Sequence, residues 1–175
     1  MTSRKNWALI GLACLVLLTG QSSVLASGDF GKLGQTFPEF ALRTLNGPEF
    51  NSTHFKGRAL IVHFRATWCP ACQKEMELLS TYYRIHHDEG IEMIGLSVDR
   101  LRDRDKVLQK MHEYSFQVAM LRDATSNAIG TPGSLPLTYL IDGQGVARTI
   151  FQPGENERTA KNLDMAIKAL ASGST

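Results

Sequence analysis

The sequence predicts an α/β protein with a central mixed β-sheet, helices flanking the sheet and a β-hairpin added at the amino end. Apolar, β-branched stretches of strand length alternate with amphipathic stretches of helix length through much of the chain. The last part reads as a turn-joined pair of strands followed by a helix. With 175 residues, 43% of them hydrophobic and 21% charged, the chain has the size and composition of one packed domain.

The first 26 residues predict a secretory signal peptide in front of this domain. Arg4 and Lys5 precede an uncharged run, Trp7–Thr19, and small residues follow up to Ala26, which is the usual order of a signal peptide. The run is about 13 residues long, shorter than the roughly 20 that span a bilayer. We therefore expect cleavage after Ala26, one domain over residues 27–175 and a periplasmic or secreted protein; an uncleaved membrane anchor is the alternative.

The elements of the domain are predicted in chain order. A loosely alternating stretch, Phe37–Leu45, followed by the turn signal Asn46-Gly47-Pro48, predicts the short amino-terminal hairpin. The apolar run Ala59–Ala66 predicts a central strand that is buried on both faces, and Pro70 suits the first turn of a helix that ends at about His87. Further predicted elements are a strand at Ile91–Val98, a helix at Asp103–Tyr114, strands at Phe116–Leu121 and Leu137–Ile141, a turn at residues 142–145 into a strand at Val146–Phe151, and a closing helix at Glu155–Leu170.

The charge balance argues against nucleic acid as a partner. Without residues 1–26 the chain loses Arg4 and Lys5 and no acid, so 17 basic residues balance 17 acidic ones. No block of five or more lysines and arginines occurs. Neither nucleic acid nor an anionic membrane surface is therefore implied as a partner.

Two of the three cysteines remain after signal cleavage. Cys14 lies in the signal, which leaves Cys69 and Cys72 as a single close pair. An exported chain with one such pair has no disulfide framework, so in an oxidising compartment the pair either cycles between dithiol and disulfide or binds a metal.

The position of this pair predicts redox chemistry. A reactive cysteine needs a lowered pKa and an exposed sulfur, and both are expected where a strand ends and a helix begins. Cys72 lies one helical turn further on and points inward. We therefore predict that Cys69 attacks the partner and that Cys72 resolves the mixed disulfide, with no cofactor and no metal besides the redox-active disulfide itself.

Two motifs together resemble a known group of proteins. The segment FRATWCPACQKE, with GSLPLTYLIDGQG about 60 residues later, is similar to the TlpA/ResA/CcmG group of periplasmic thioredoxin-like proteins over roughly residues 30–172. The resemblance implies a thioredoxin fold with an added amino-terminal hairpin and a thiol–disulfide oxidoreductase that acts on exported cysteine-containing proteins. It favours reduction, for example of apocytochrome c cysteines, with electrons from a membrane thiol reductase.

The resemblance also assigns roles to further residues. It implies a cis peptide bond between Leu135 and Pro136, which would expose the Leu135 backbone to a substrate peptide, with Trp68 and Pro70 completing a docking surface. The alternative is an ordinary trans proline. Glu75 matches an acidic residue that exchanges protons with the buried thiol in this group. The alternative for Glu75 is a solvated glutamate in the first turn of the helix.

Two positions depart from the family pattern. His63 stands six residues before Cys69, where thioredoxins carry a buried aspartate, and Arg65 replaces a common aromatic residue. Residues two apart on a strand share a face, so both side chains are predicted to tune the redox pair. Cations near Cys69 would favour its thiolate and make the pair more oxidising. The alternative is that Arg65 reaches into water and that His63 is a neutral, hydrogen-bonded core histidine.

Other functions remain open on the sequence alone. One is a disulfide-donating oxidase, which His63 and Arg65 would favour. Another is a Cu(I)-binding chaperone that uses two thiolates and a histidine, and a third is a thiol peroxidase. The two-residue spacing of the cysteines and the Trp68-Cys69-Pro70 segment favour thiol–disulfide exchange over copper binding and over peroxidase chemistry.

Overall fold

Seven strands form one mixed sheet in the part of the chain that the structure describes. The computed structural model describes residues 31–125, 129–154 and 159–171, so the predicted signal peptide over residues 1–26 lies outside the described residues. The strands are β1 (Ala41–Thr44), β2 (Glu49–Asn51), β3 (Ala59–Arg65), β4 (Ile91–Ser97), β5 (Gln117–Ala124), β6 (Leu137–Ile141) and β7 (Ala147–Phe151). Their order is β2-β1-β5-β4-β3-β6-β7. β3 pairs in parallel with β4, and β4 with β5, whereas the other neighbours are antiparallel.

Three α-helices accompany this sheet in the described ranges. They are α1 (Pro70–His86), α2 (Arg104–Met111) and α3 (Ala160–Ala171). The predicted second helix is shorter than expected: a 3₁₀ turn, Leu101–Asp103, precedes α2, and the Tyr114 N–H closes a tight turn on the Met111 carbonyl. Residues 155–158, where the last helix was predicted to begin, lie outside the described residues. None of the described helices has the length and apolarity needed to cross a membrane.

The described helices pack on one face of the sheet. One buried cluster joins alternate strand residues to the apolar sides of all three helices, for example Ile61 of β3, Met76 of α1, Val107 of α2 and Leu163 of α3. The two parallel crossovers run in the same direction along the sheet. Because such crossovers are right-handed, they place α1 and α2 on the same side. The predicted mixed sheet flanked by helices is confirmed.

The opposite face is covered by the amino-terminal segment, whose aromatic side chains also pack on the β1–β2 hairpin at the end of the sheet. Phe37, Phe40 and Phe50 pack there with Val62 and Phe64 of β3. The segment is held by backbone hydrogen bonds to the start of β7 and the turn before it. The Gly34 N–H donates to the Ala147 carbonyl and the Phe37 N–H to the Gly145 carbonyl, both at 2.8 Å. The first described residues therefore lie beside one of the last strands of the sheet.

Local sequence signals set the ends of α1. Cys69 is the N-cap and Pro70 occupies the first turn, where its missing N–H costs no hydrogen bond. The helix continues into a short 3₁₀ turn, which Gly90 ends with φ of +84°, a left-handed conformation that favours glycine. The parallel pairing of β3 with β4, with Arg65 opposite Ser97, brings the chain after both strands to one edge. We call this edge, where β3, β4 and β5 end, the C-terminal edge.

Candidate active site

A disulfide joins Cys69 and Cys72 at the C-terminal edge. Their Cα atoms are 5.3 Å apart, which is within the usual range for a disulfide. Ala66 belongs to the same buried cluster, and Val98 and Leu135 pack against it. The pair therefore lies where the sequence predicts it, between the end of β3 and the first turn of α1.

The start of α1 offers a backbone hydrogen-bond donor to the Cys69 sulfur. The Cys72 N–H donates to Cys69 Sγ at 3.1 Å, so the sulfur fills the role of an N-cap acceptor. The first N–H groups of a helix have no partner within the helix, and they carry a partial positive charge. In the reduced state the same donor and the helix end would stabilise a thiolate on Cys69.

The two cysteines differ in their exposure to solvent, but less than the sequence suggests. Cys69 is 6% exposed and Cys72 is fully buried. The greater exposure of Cys69 agrees with its predicted role as the attacking cysteine and with that of Cys72 as the resolving one. The expectation that the loop tip openly exposes Cys69 is wrong for the disulfide form, because Val98 and Leu135 pack against the pair.

Of the predicted docking residues, Trp68 and Pro70 flank Cys69 in the chain and Leu135 packs against the cysteine pair. The Leu135–Pro136 bond is cis, as the resemblance implies. Leu135 is partly buried and Pro136 is buried, whereas Pro70 is exposed. Trp68 is 67% exposed, a large value for an aromatic side chain. An apolar, solvent-facing ring thus immediately precedes Cys69 in the chain.

Glu75 points into the protein. Its side chain is only 15% exposed, and its Oε2 lies 3.9 Å from His63 Nδ1. Because α1 begins at Pro70, Glu75 is in the second turn, three residues after Cys72 and on the same side of the helix. The alternative of a solvated glutamate in the first turn is therefore wrong.

His63 is a buried, hydrogen-bonded histidine. It is fully buried, and its Nδ1 lies 2.9 Å from Thr138 Oγ1 on the neighbouring strand β6. These contacts agree with the core histidine of the alternative interpretation. The Glu75 carboxylate would also stabilise a protonated ring, so redox tuning by His63 stays a prediction.

Arg65 is buried, which the sequence does not suggest. It is 1% exposed, Nη1 donates to Met111 Sδ at 3.3 Å and Nη2 to the Ala66 carbonyl at 3.3 Å. Its Nε has no hydrogen-bond partner among the described residues. Burial lowers the pKa of the guanidinium, and the charges of Asp99 and Tyr114 partly restore it. The alternative of an arginine that reaches into water is therefore wrong, and redox tuning by Arg65 stays a prediction.

Asp99 is a site residue that the sequence analysis missed. This buried carboxylate accepts hydrogen bonds from the Thr67 N–H and the Thr67 hydroxyl, both at 2.8 Å, and from the Ser97 hydroxyl at 2.6 Å. The sequence signal that could have identified it is an acidic residue two positions after β4, a buried strand that pairs in parallel with β3. Asp99 thereby ties the chain after β4 to the loop that carries Trp68 and Cys69.

In the described ranges no three His, Cys, Asp or Glu side chains come close enough together to hold a metal ion. The histidines at the end of α1 make local contacts instead: His86 stacks on Tyr82 with ring centroids 4.3 Å apart, and His87 lies 3.2 Å from Asp88.

Comparison with known proteins agrees with this geometry. The family model described as AhpC/TSA matches residues 33–150. The thiol-disulfide oxidoreductase ResA of a Bacillus cereus strain is 30% identical over 175 aligned residues, which cover 95% of this chain and 98% of that protein. ResA of Geobacillus thermodenitrificans is 31% identical over 120 residues, 68% of each chain.

Solved structures agree on the fold. A thioredoxin-family thiol:disulfide interchange protein from Chlorobium tepidum superposes with a TM-score of 0.63 at 24% identity, covering 79% of this chain and 97% of that one. A putative DsbE from the same organism has a TM-score of 0.66 at 18% identity, covering 80% and 98%. The chain therefore belongs to the AhpC/TSA family, and its thioredoxin fold and ResA relatives identify it as a thiol–disulfide oxidoreductase.

Proposed function

We propose that this protein reduces disulfides in exported proteins, with Cys69 as the attacking and Cys72 as the resolving cysteine. The observation that carries the assignment of roles is the contrast between the two sulfurs. Cys69 Sγ accepts a backbone hydrogen bond at the start of α1 and Cys69 is the more exposed residue, whereas Cys72 is fully buried. A thiolate is therefore favoured at Cys69, and only Cys69 can meet a partner.

The reaction runs through a mixed disulfide. The Cys69 thiolate attacks one sulfur of the substrate disulfide, a bond forms between them, and the other substrate sulfur leaves as a thiolate and takes up a proton. Cys72 then loses its proton and attacks Cys69 Sγ. The mixed disulfide breaks, the second substrate sulfur leaves, and two electrons have passed from the cysteine pair to the substrate. The product is the Cys69–Cys72 disulfide of this structure.

Glu75 takes the proton from Cys72 in this proposal. The carboxylate lies one helical turn beyond Cys72 and is largely withdrawn from water. A base in that position removes a proton from a thiol that solvent cannot reach. His63 Nδ1, 3.9 Å from Glu75 Oε2, would orient the carboxylate before it accepts this proton.

The substrate segment binds across the disulfide. Trp68 and Pro70 offer an apolar surface on one side, and the Leu135 backbone next to the cis bond offers hydrogen-bonding groups on the other. An extended segment that pairs with this backbone would bring its own disulfide to Cys69. Apocytochrome c cysteines are one candidate substrate, and a membrane thiol reductase is the proposed source of electrons.

The reduction potential tests the direction of this reaction. Equilibration with glutathione should give a potential in the range of reducing thioredoxins, at about −270 mV, rather than near the strongly oxidising value of about −120 mV. A value near the oxidising end would contradict the reductase and favour a disulfide donor. A titration of the reduced protein with Cu(I) should show no tight binding; a tight one-to-one complex would instead favour a copper chaperone.

A further inference from the structure

Two loops at the C-terminal edge each present one exposed apolar side chain. Trp68 is 67% exposed and Leu101 is 49% exposed. They belong to one surface because Thr67, directly before Trp68, is joined to Asp99, two residues before Leu101, by two hydrogen bonds of 2.8 Å. Burying such side chains against a partner contributes favourably to binding.

The loop that carries Leu101 is positively charged. Residues 100–106 contain four cations, Arg100, Arg102, Arg104 and Lys106, and two acids, Asp103 and Asp105. Two acidic residues balance only two of the four cations, so the segment keeps a net positive charge.

Two of the three arginines in this segment pair with carboxylates, and Arg102 does not pair with one among the described residues. Arg100 Nε is bound to Asp103 Oδ2 at 3.1 Å, and Arg104 is engaged with Asp123 of β5. Arg102 is exposed and lies next to Leu101. An exposed cation without a tight local partner attracts acidic groups over about 10 Å at ordinary ionic strength.

The carboxylates nearest to the disulfide do not offset this charge at the surface. Asp99 is buried and accepts three hydrogen bonds, and Glu75 faces His63 in the interior. A partner that approaches Cys69 therefore meets Trp68, Leu101 and Arg102 on this side.

We propose that Trp68, Leu101 and Arg102 form a docking surface that selects cysteine-containing segments with an apolar and an acidic residue next to the reacting cysteine. The proposal rests on the proposed thiol–disulfide exchange function and names the substrate class for the same site. The apolar residue would pack between Trp68 and Leu101, and the carboxylate would pair with Arg102. The positive charge acts mainly on the rate of encounter.

Two peptide probes test this selection. Both carry one cysteine as a mixed disulfide with 2-nitro-5-thiobenzoate and a leucine beside it; one adds two aspartates and the other two lysines. The Cys69 thiolate of the reduced protein bonds to the peptide sulfur, and the coloured aromatic thiolate leaves. At low ionic strength we expect the aspartate peptide to react about tenfold faster than the lysine peptide, with the ratio shrinking as salt is added.

Matched variants identify the residues that cause the preference for the aspartate peptide. Arg102→Glu should abolish or reverse the preference for aspartate, and Arg102→Lys should keep it. Arg84→Glu is the control, because Arg84 is exposed in the last turn of α1, about 20 Å along the helix from Cys69. Arg84→Glu should keep the wild-type ratio. Leu101→Ser should slow both peptides several-fold, whereas Ile85→Ser, at another exposed apolar position, should not.

The outcomes separate this proposal from the proposed function. If the wild-type protein reacts equally with both peptides, or if the glutamate variants of Arg102 and Arg84 behave alike, the docking surface is refuted. The symmetrical aromatic disulfide, which has no peptide, serves as the reference substrate. If the reduced protein fails to reduce even this reagent, the proposed exchange function itself is refuted.

Discussion

Asp99 accepts both hydrogen bonds that Thr67 can donate, one from its N–H and one from its hydroxyl, each at 2.8 Å. Thr67 is followed by Trp68 and Cys69, so the loop that presents the redox pair is fastened to the chain after β4. The Ser97 hydroxyl donates a further hydrogen bond to the same carboxylate at 2.6 Å. The position of Cys69 thus depends on a contact between residues 32 apart in the sequence.

Removing the Asp99 carboxylate should loosen the active-site loop. Asp99→Ala leaves the buried Thr67 N–H without its acceptor, and we expect the free energy of unfolding to fall by about 2–4 kcal/mol. The rate of disulfide exchange should also fall in this variant, because the loop that carries Cys69 is no longer held in place. Denaturant unfolding and reduction of a small disulfide measure the two effects. Asp103→Ala, which removes an acid from an exposed pair with Arg100, is the control and should cost about 1 kcal/mol or less. Equal losses in both variants would contradict the anchoring role.

Removing the Arg65 charge should make the pair more reducing. Arg65→Met takes away a buried cation and leaves the Asp99 charge uncompensated near the loop, and both changes raise the pKa of the Cys69 thiol. A rise of about one unit corresponds to about 1.4 kcal/mol and lowers the potential by about 30 mV. Thiolate absorbance and glutathione equilibration measure these quantities. Unchanged values would show that Arg65 only packs against α2. In the double variant with Asp99→Asn, the shift should be smaller than in Arg65→Met alone.

Glu75→Gln should slow the second step of the reaction and spare the first. The amide cannot accept the Cys72 proton, so release of the mixed disulfide should slow by about 100-fold. Alkylation of reduced Cys69 should keep its rate. Single-turnover reduction of a peptide disulfide separates the two steps. Glu77→Gln, on the exposed side of the same helix, is the matched control; if both variants behave alike, Glu75 has no role as the base.

Cys69 should react with iodoacetamide far faster than Cys72 in the reduced native protein. The helix start favours the thiolate at Cys69, whereas Cys72 is fully buried. We expect a difference of at least about 100-fold at neutral pH, read by mass spectrometry of the labelled peptides. In denaturant the two rates should become similar. Equal rates in the native protein, or faster labelling of Cys72, would reverse the proposed roles.

The fold should lose stability in alkali through its buried tyrosines. Burial raises the pKa of Tyr139 to about 12, whereas an exposed tyrosine ionises near about 10. The folded state keeps a proton that the unfolded chain gives up, so this contribution is complete below about pH 10 and is lost as the pH rises towards 12. Denaturation midpoints at increasing pH should fall less steeply in Tyr139→Phe than in the wild type. An identical slope in both proteins would contradict the shift.

The features that the sequence predicts well are those with local causes. The start of α1 follows from Pro70 and from the cysteine pair after an apolar run, and the structure places all of them as expected. The cis bond before Pro136 is also confirmed, although it rests on the resemblance rather than on local physics.

The features that the sequence does not predict depend on distant partners. Arg65 is buried because Met111, 46 residues later, and the Ala66 carbonyl receive its guanidinium. Asp99 becomes part of the site only because β3 and β4 pair with Arg65 opposite Ser97. A one-residue change in that register would turn these side chains to other faces, and the sequence pattern alone does not specify it.

The hydrogen bonds between the first described residues and the turn before β7 also set an order of events. Gly34 and Phe37 find their backbone partners only at Gly145 and Ala147, more than a hundred residues later in the chain. A chain that emerges amino end first, from a ribosome or through a membrane pore, cannot close the sheet face beneath its phenylalanines until that late turn has emerged. Until then, the aromatic side of the unfinished sheet lacks its cover and presents apolar surface that favours aggregation.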